Sequence, residues 1–63
     1  MKYDFDADRV RDIRLRLGET QVVFAQRLGV TQKIVSRWEN GVSRPTWGRV
    51  LKALLDAEAE VTV

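Results

Sequence analysis

The 63-residue chain contains no cysteine and no histidine, a single proline, and aromatic residues at only 8% of its positions. Without cysteine there is neither a disulfide framework nor a thiolate zinc site. Without histidine, the commonest metal ligand and the usual general base are both missing. Long apolar runs are missing too. The longest, Val22-Val23-Phe24-Ala25, falls far short of the ~20 residues a membrane-spanning helix needs. Met1-Lys2 leads into Tyr3-Asp4-Phe5-Asp6 rather than an apolar stretch, so no secretory leader is expected. These absences weigh against an enzyme and a membrane protein. No catalytic residues, metal ligands or cofactor are expected, and a cysteine-free chain suits the reducing cytoplasm. A chain this short buries only ~60% of its unfolded surface, so one small domain over residues 1–63 is expected.

The formal charge of +2 conceals an uneven distribution. Residues 1–8 carry a net −2 and residues 53–63 a net −3. Residues 9–52 hold ten cations against only Asp12, Glu19 and Glu39, a net +7. A basic centre between acidic ends suits a polyanion-binding face, although a solvated helical surface would carry similar charge.

Apolar periodicity predicts four helices. Val10, Ile13 and Leu17 stripe a helix over 7–17, with Asp6 and Asp8 placed to cap it and Gly18 to stop it. Thr20 is an N-cap candidate for a second helix over 21–28, which turns Phe24, Ala25 and Leu28 inward and ends at Gly29. Thr31 introduces a third over 32–39, with Val35 and Trp38 on one face. Asn40-Gly41 stops it, since both residues tolerate the left-handed conformation. After a loop over 40–45, Trp47, Val50, Leu51, Leu54 and Leu55 form the apolar face of a fourth helix over 46–57, opened by Pro45 and Thr46. At the ends, Lys2-Tyr3-Asp4-Phe5 and Glu60-Val61-Thr62-Val63 alternate polar and apolar, so extended termini are expected, as short strands or frayed ends. The fold class is therefore all-α, a compact four-helix domain.

Two short helices joined through Gly29-Val30-Thr31 have the make-up of a helix-turn-helix, in which the second of the pair lies in the major groove of DNA. The run Thr20-Gln21-Val22-Val23-Phe24-Ala25-Gln26-Arg27-Leu28-Gly29-Val30-Thr31, with Val35-Ser36-Arg37-Trp38-Glu39-Asn40-Gly41 and Pro45, resembles the lambda-repressor/Cro-like (XRE-type) helix-turn-helix family over roughly residues 10–55. The resemblance implies that Gln21 grips a phosphate and that Asn40, Ser43 and Arg44 hold the DNA backbone. It further implies that Gln32, Lys33, Ile34, Ser36 and Arg37 meet base edges, and that Arg14 and Glu39 form an internal ion pair. Side-chain chemistry agrees: glutamine pairs with adenine, lysine and arginine donate to guanine, and isoleucine packs on a thymine methyl. Two departures stand out. Glu19 occupies a position that is usually apolar in the family, and too few residues follow Asp56 for the fifth helix common there, which makes the chain closer in length to a Cro-like protein.

Plainer readings stand beside these. Lys33 and Arg37 could be ordinary solvated helix residues. Trp38 shares the face of Val35 and is expected in the core, whereas Trp47 could be core, DNA-proximal or at a subunit interface. Asp4-x-Asp6-x-Asp8 has the spacing that opens a calcium loop, but Arg9 and Leu15 stand where such a loop needs glycine and glutamate, so acidic capping is the better account. Leu15, Val22 and Val23, with Tyr3, Phe5, Val61 and Val63, exceed what a four-helix core needs and suggest a self-association or partner surface. The expectation is a sequence-specific transcription regulator, a repressor that binds a two-fold operator in double-stranded DNA as a homodimer. An antitoxin that binds a protein toxin and controls its own operon is one alternative; a helical interaction module without DNA binding is another.

Overall fold

A computed structural model describes residues 4–62. Four helices follow in order, α1 (Ala7–Leu17), α2 (Gln21–Leu28), α3 (Gln32–Glu39) and α4 (Gly48–Val61), and no strand occurs among the described residues.

The first three helices begin and end where their local chemistry dictates. Asp6, Thr20 and Thr31 sit in extended backbone and accept from the amides of Arg9, Val23 and Ile34, the N-cap contacts that satisfy free N–H groups. Gly18 and Gly29 end α1 and α2 with φ of 71° and 75°, values that cost a side-chain-bearing residue 1–2 kcal/mol or so. In both turns the glycine amide and the one after it close back on carbonyls of the last turn. At Asn40-Gly41 only the glycine is left-handed; Asn40 keeps φ −93°.

The fourth helix differs from the sequence expectation at both ends. Pro45 and Thr46 remain outside it, and Trp47 precedes its first turn without a side-chain cap. At the other end, the residues expected to be extended, Glu60 and Val61, are helical. Two long-range ion pairs hold them there. Arg9 grips Glu58 in a fork, with Nε–Oε2 at 2.8 Å and Nη2–Oε1 at 2.7 Å, while Arg27 reaches Glu60 at 2.9 Å.

One core joins all four helices: Val10 and Ile13 from α1; Phe24, Ala25 and Leu28 from α2; Val35 and Trp38 from α3; and Val50, Leu54 and Ala57 from α4. Phe5 completes it at 1% exposure, so it belongs to the core and not to a surplus apolar surface. The alternation around Phe5 marks an irregular segment with one side chain pinned inward, over which the Arg9 guanidinium stacks at 4.0 Å from the ring centre. Met1, Lys2, Tyr3 and Val63, which entered the expectations for the ends, lie outside the described residues. Ala25, 2% exposed, is small enough to let α2 and α3 approach closely, which sets the angle at which α3 is presented.

Candidate nucleic-acid interface

The inner face of α3 is fixed by Val35, Trp38 and Glu39, all buried, which leaves Gln32, Lys33 and Arg37 exposed on the outside. Lys33 and Arg37 are one turn apart and share a face. Ile34 and Ser36 are half-buried: Ile34 leans on the core, and Ser36 Oγ accepts from the Asn40 side-chain amide at 3.2 Å. The five expected base-reading residues therefore divide into three exposed on the outer face, Gln32, Lys33 and Arg37, and two on its flanks.

Beneath this face lies Glu39, 4% exposed and the one buried charge among the described residues. Arg14 from α1 meets it in a fork, Nε–Oε2 at 2.6 Å and Nη2–Oε1 at 2.9 Å, and its remaining Nη1 donates to the Glu19 carbonyl at 3.0 Å. Arg11 adds a second cation at 3.6 Å and donates to the Glu39 carbonyl at 3.1 Å. Burial alone would push the Glu39 carboxyl upward. The hydrogen bonds from Arg14 and Gln21, together with the charges of Arg14 and Arg11, outweigh it and hold the group below the usual carboxylate range. Every member is satisfied, as a polar group at this depth requires.

The network continues outward to the exposed face. Gln21 Nε2 donates to Glu39 Oε1 at 3.3 Å, and Gln32 Nε2 donates to Gln21 Oε1 at 2.7 Å. Because an ionised carboxylate only accepts, Glu39 dictates which end of the Gln21 amide faces inward, and Gln21 in turn orients Gln32. The first residue of α3 is thus held by a chain of side chains that starts at Arg14. The family resemblance singled out Gln21 and Gln32 individually; nothing in their spacing revealed that they bond to each other.

Charge pairing separates the cations further. Of the ten in residues 9–52, Arg9, Arg11, Arg14, Arg16, Arg27, Arg44 and Lys52 have carboxylate partners. Among the described residues, Lys33, Arg37 and Arg49 have none. Glu19 is explained by Arg27, which binds it at 2.6 Å and so ties the turn before α2 to the end of α4. The loop after α3 carries Asn40, Ser43 and Arg44, all exposed, and folds back onto α3 through the Val42 amide, which donates to the Arg37 carbonyl at 2.9 Å. Arg44 pairs with Asp4. That pairing and the Asp6 cap account for two of the three aspartates whose spacing opens a calcium loop.

The arrangement offers an exposed helix with donors and acceptors at its first turn, two unpaired cations one turn apart, and a polar loop beside it. Such a surface carries the groups that base edges and phosphates can pair with. No helix among the described residues is long and apolar enough to cross a membrane. A family model described as Helix-turn-helix matches residues 10–57. No curated protein and no solved structure matches the chain significantly.

Proposed function

The chain belongs to the XRE-type helix-turn-helix family, a family of DNA-binding regulators, and from that premise we propose that it is a sequence-specific repressor that occupies a two-fold operator as a homodimer. On this reading α3 enters the major groove, with half-sites about 34 Å apart. Gln32, Lys33 and Arg37 read base edges, and Ile34 and Ser36 contact bases from the flanks. Gln21, Asn40, Ser43 and Arg44 bind phosphates. A single module reads too few base pairs for genomic specificity, which is the physical case for the dimer. The protein acts as one domain in the cytoplasm, associated with the nucleoid when bound.

The observation that carries this reading is the unpaired state of Lys33 and Arg37 on the exposed face of α3, in a molecule where most other cations have carboxylate partners. Selection from a randomised duplex pool tests it. The wild type should enrich a two-fold motif, and Arg37→Ala should relax one position of each half by about 1–3 kcal/mol. Gln21→Ala should weaken binding to all sites and also relax the position that Gln32 reads, since it loses both a phosphate ligand and the partner of Gln32. Absence of enrichment at low salt would refute the reading.

Exposed Leu15, Val22 and Val23 favour a second reading in which the same DNA-binding domain also holds a protein partner, as an antitoxin holds its toxin. Co-purification from the native host would separate the two.

A further inference from the structure

Both tryptophans of the chain line one cavity, formed where α3, the loop after it and the lead-in to α4 meet. Buried Trp38 and Pro45 and half-buried Ile34 give it an apolar base, and Trp47 borders it with 57% of its surface exposed. Trp47 is the anomaly. It holds the N-cap position of α4, where serine, threonine, aspartate or asparagine would bond a free amide, and it makes no side-chain cap. Its carbonyl accepts from the Leu51 amide at 2.8 Å, a bond that any residue could make there. Neither the start of the helix nor the core requires an indole at this position, so its flat face is open to something that approaches from outside.

The charge on the same cavity says what fits. Arg37 and Arg44 also line it. Arg37 has no carboxylate partner among the described residues, and Arg44 holds Asp4 in a pair whose two side chains are both more than half exposed. An exposed pair contributes little, so an arriving anion exchanges for Asp4 at small cost. A phosphate alone would use the two guanidiniums and leave the apolar base unfilled; a neutral ring would do the reverse. An aromatic ring that carries a carboxylate uses both: its face stacks on Trp47, and its carboxylate takes a guanidinium fork. The cavity measures about 290 Å³, and a dry cavity of ~150 Å³ suffices for benzene. One or two fused rings with a short acidic arm therefore match its size.

We propose that this cavity binds a small aromatic carboxylate, and that the bound ligand releases the protein from DNA. The regulatory half rests on the DNA-binding reading, in which Arg37 meets a base edge and Arg44 a phosphate. A guanidinium forked to the ligand is withdrawn from the duplex, and the ligand's own charge faces the phosphates. The ligand therefore binds the free chain better than the complex and shifts the equilibrium toward the free chain. By linkage, the duplex weakens ligand binding by the same factor.

The test uses indole-3-acetate as the probe, with indole (the ring without the acid) and acetate (the acid without the ring) as its halves. Heteronuclear NMR gives one indole N–H signal per tryptophan, and both tryptophans stand at the cavity. Indole-3-acetate should shift both signals saturably, with a Kd of about 1 mM or tighter for a ligand of its size. Indole and acetate should each bind at least ~10-fold more weakly. Trp47→Ala should keep its thermal melt and its affinity for the selected duplex, and bind the probe at least ~10-fold more weakly. Arg44→Gln should shrink the advantage of indole-3-acetate over indole. At a concentration that fills the wild type, the probe should lower its duplex affinity at least ~5-fold and leave that of Trp47→Ala unchanged. No saturable shift overturns the proposal, as does equal binding of indole or of acetate. So does binding that Trp47→Ala leaves intact, or binding that does not alter duplex affinity. A wild type that selects no duplex refutes DNA recognition, and the titration of the free chain then decides the ligand site by itself.

Discussion

Arg9 and Arg37 are the same residue on helices of the same domain, yet their side chains are placed in opposite ways. Arg9 is gripped by Glu58 across 49 residues of sequence separation and stacked on Phe5, so its charge is absorbed into the joint between α1 and α4. Arg37 lies exposed on α3, its side chain without a carboxylate partner among the described residues and its carbonyl accepting from the loop amides that follow. The difference lies in the supply of carboxylates. Glu19, Glu58 and Glu60 reach the side formed by α1, α2 and the end of α4, whereas among the described residues the exposed face of α3 receives none. A net positive middle segment therefore says little about where an anion binds until the internal pairs are removed from it.

The strongest way to break this contrast is at the group that joins the two sides. Glu39→Ala leaves Arg14 half-buried without its partner and releases Gln21, and should cost about 3–5 kcal/mol of stability, the range for removing one partner of a buried pair. A loss of that size lowers Tm by roughly 4–8 °C per kcal/mol in a domain of this size, readable by thermal melts.

Acid should produce a related effect. Both Glu39 and Glu58 are held below their ordinary range, the latter chiefly by its hydrogen bond from Arg9. The unfolded chain therefore takes up protons before the folded one does. Stability from these pairs is complete above the ordinary glutamate value, about pH 4.3, and is lost as pH falls below it through the folded values. Urea titrations at pH 6 and pH 3.5 should show the decline, and Glu58→Gln should flatten part of it.

Smaller effects sharpen the comparison. Arg37→Ala should change stability by no more than about 0.5 kcal/mol while lowering affinity for the selected duplex. Arg9→Gln should do the reverse, costing about 1 kcal/mol of stability and leaving DNA affinity unchanged, as expected of a partly exposed pair. Parallel melts and duplex titrations on the two variants check both. If Arg9→Gln weakened DNA binding as much as Arg37→Ala, the division of labour would be wrong.

What was legible in the sequence follows the range of the forces involved. The first three helices have the bounds their caps and glycines predict, because an N-cap acts over three residues and a left-handed glycine over one turn. The end of α4 was hidden because Glu58 and Glu60 gain their helix-holding partners, Arg9 and Arg27, only once the chain has folded. Phe5 was hidden for a similar reason: it belongs to no periodic stripe, and only the closed core shows that its ring fills it. At the candidate site, helical periodicity marked Val35 and Trp38 as the inner face of α3, and the family resemblance supplied the outer positions. The links from Gln32 through Gln21 to Glu39 could not be read in advance, since three helices must first be brought together.

The pairing of Arg44 with Asp4 has a consequence for how binding would respond to ionic strength. A cation that neutralises a phosphate normally expels a condensed counterion from the duplex, and each such contact steepens the fall of log K with log salt by about 0.9. If Arg44 turns to a phosphate it leaves Asp4 bare, and the freed carboxylate recaptures part of the cation the duplex gives up. The protein then carries an internal counterion of its own, and its affinity should decline less with salt than a count of its phosphate-contacting arginines suggests. Asp4→Asn removes that counterion, and should tighten binding in dilute buffer while steepening its loss as salt is raised.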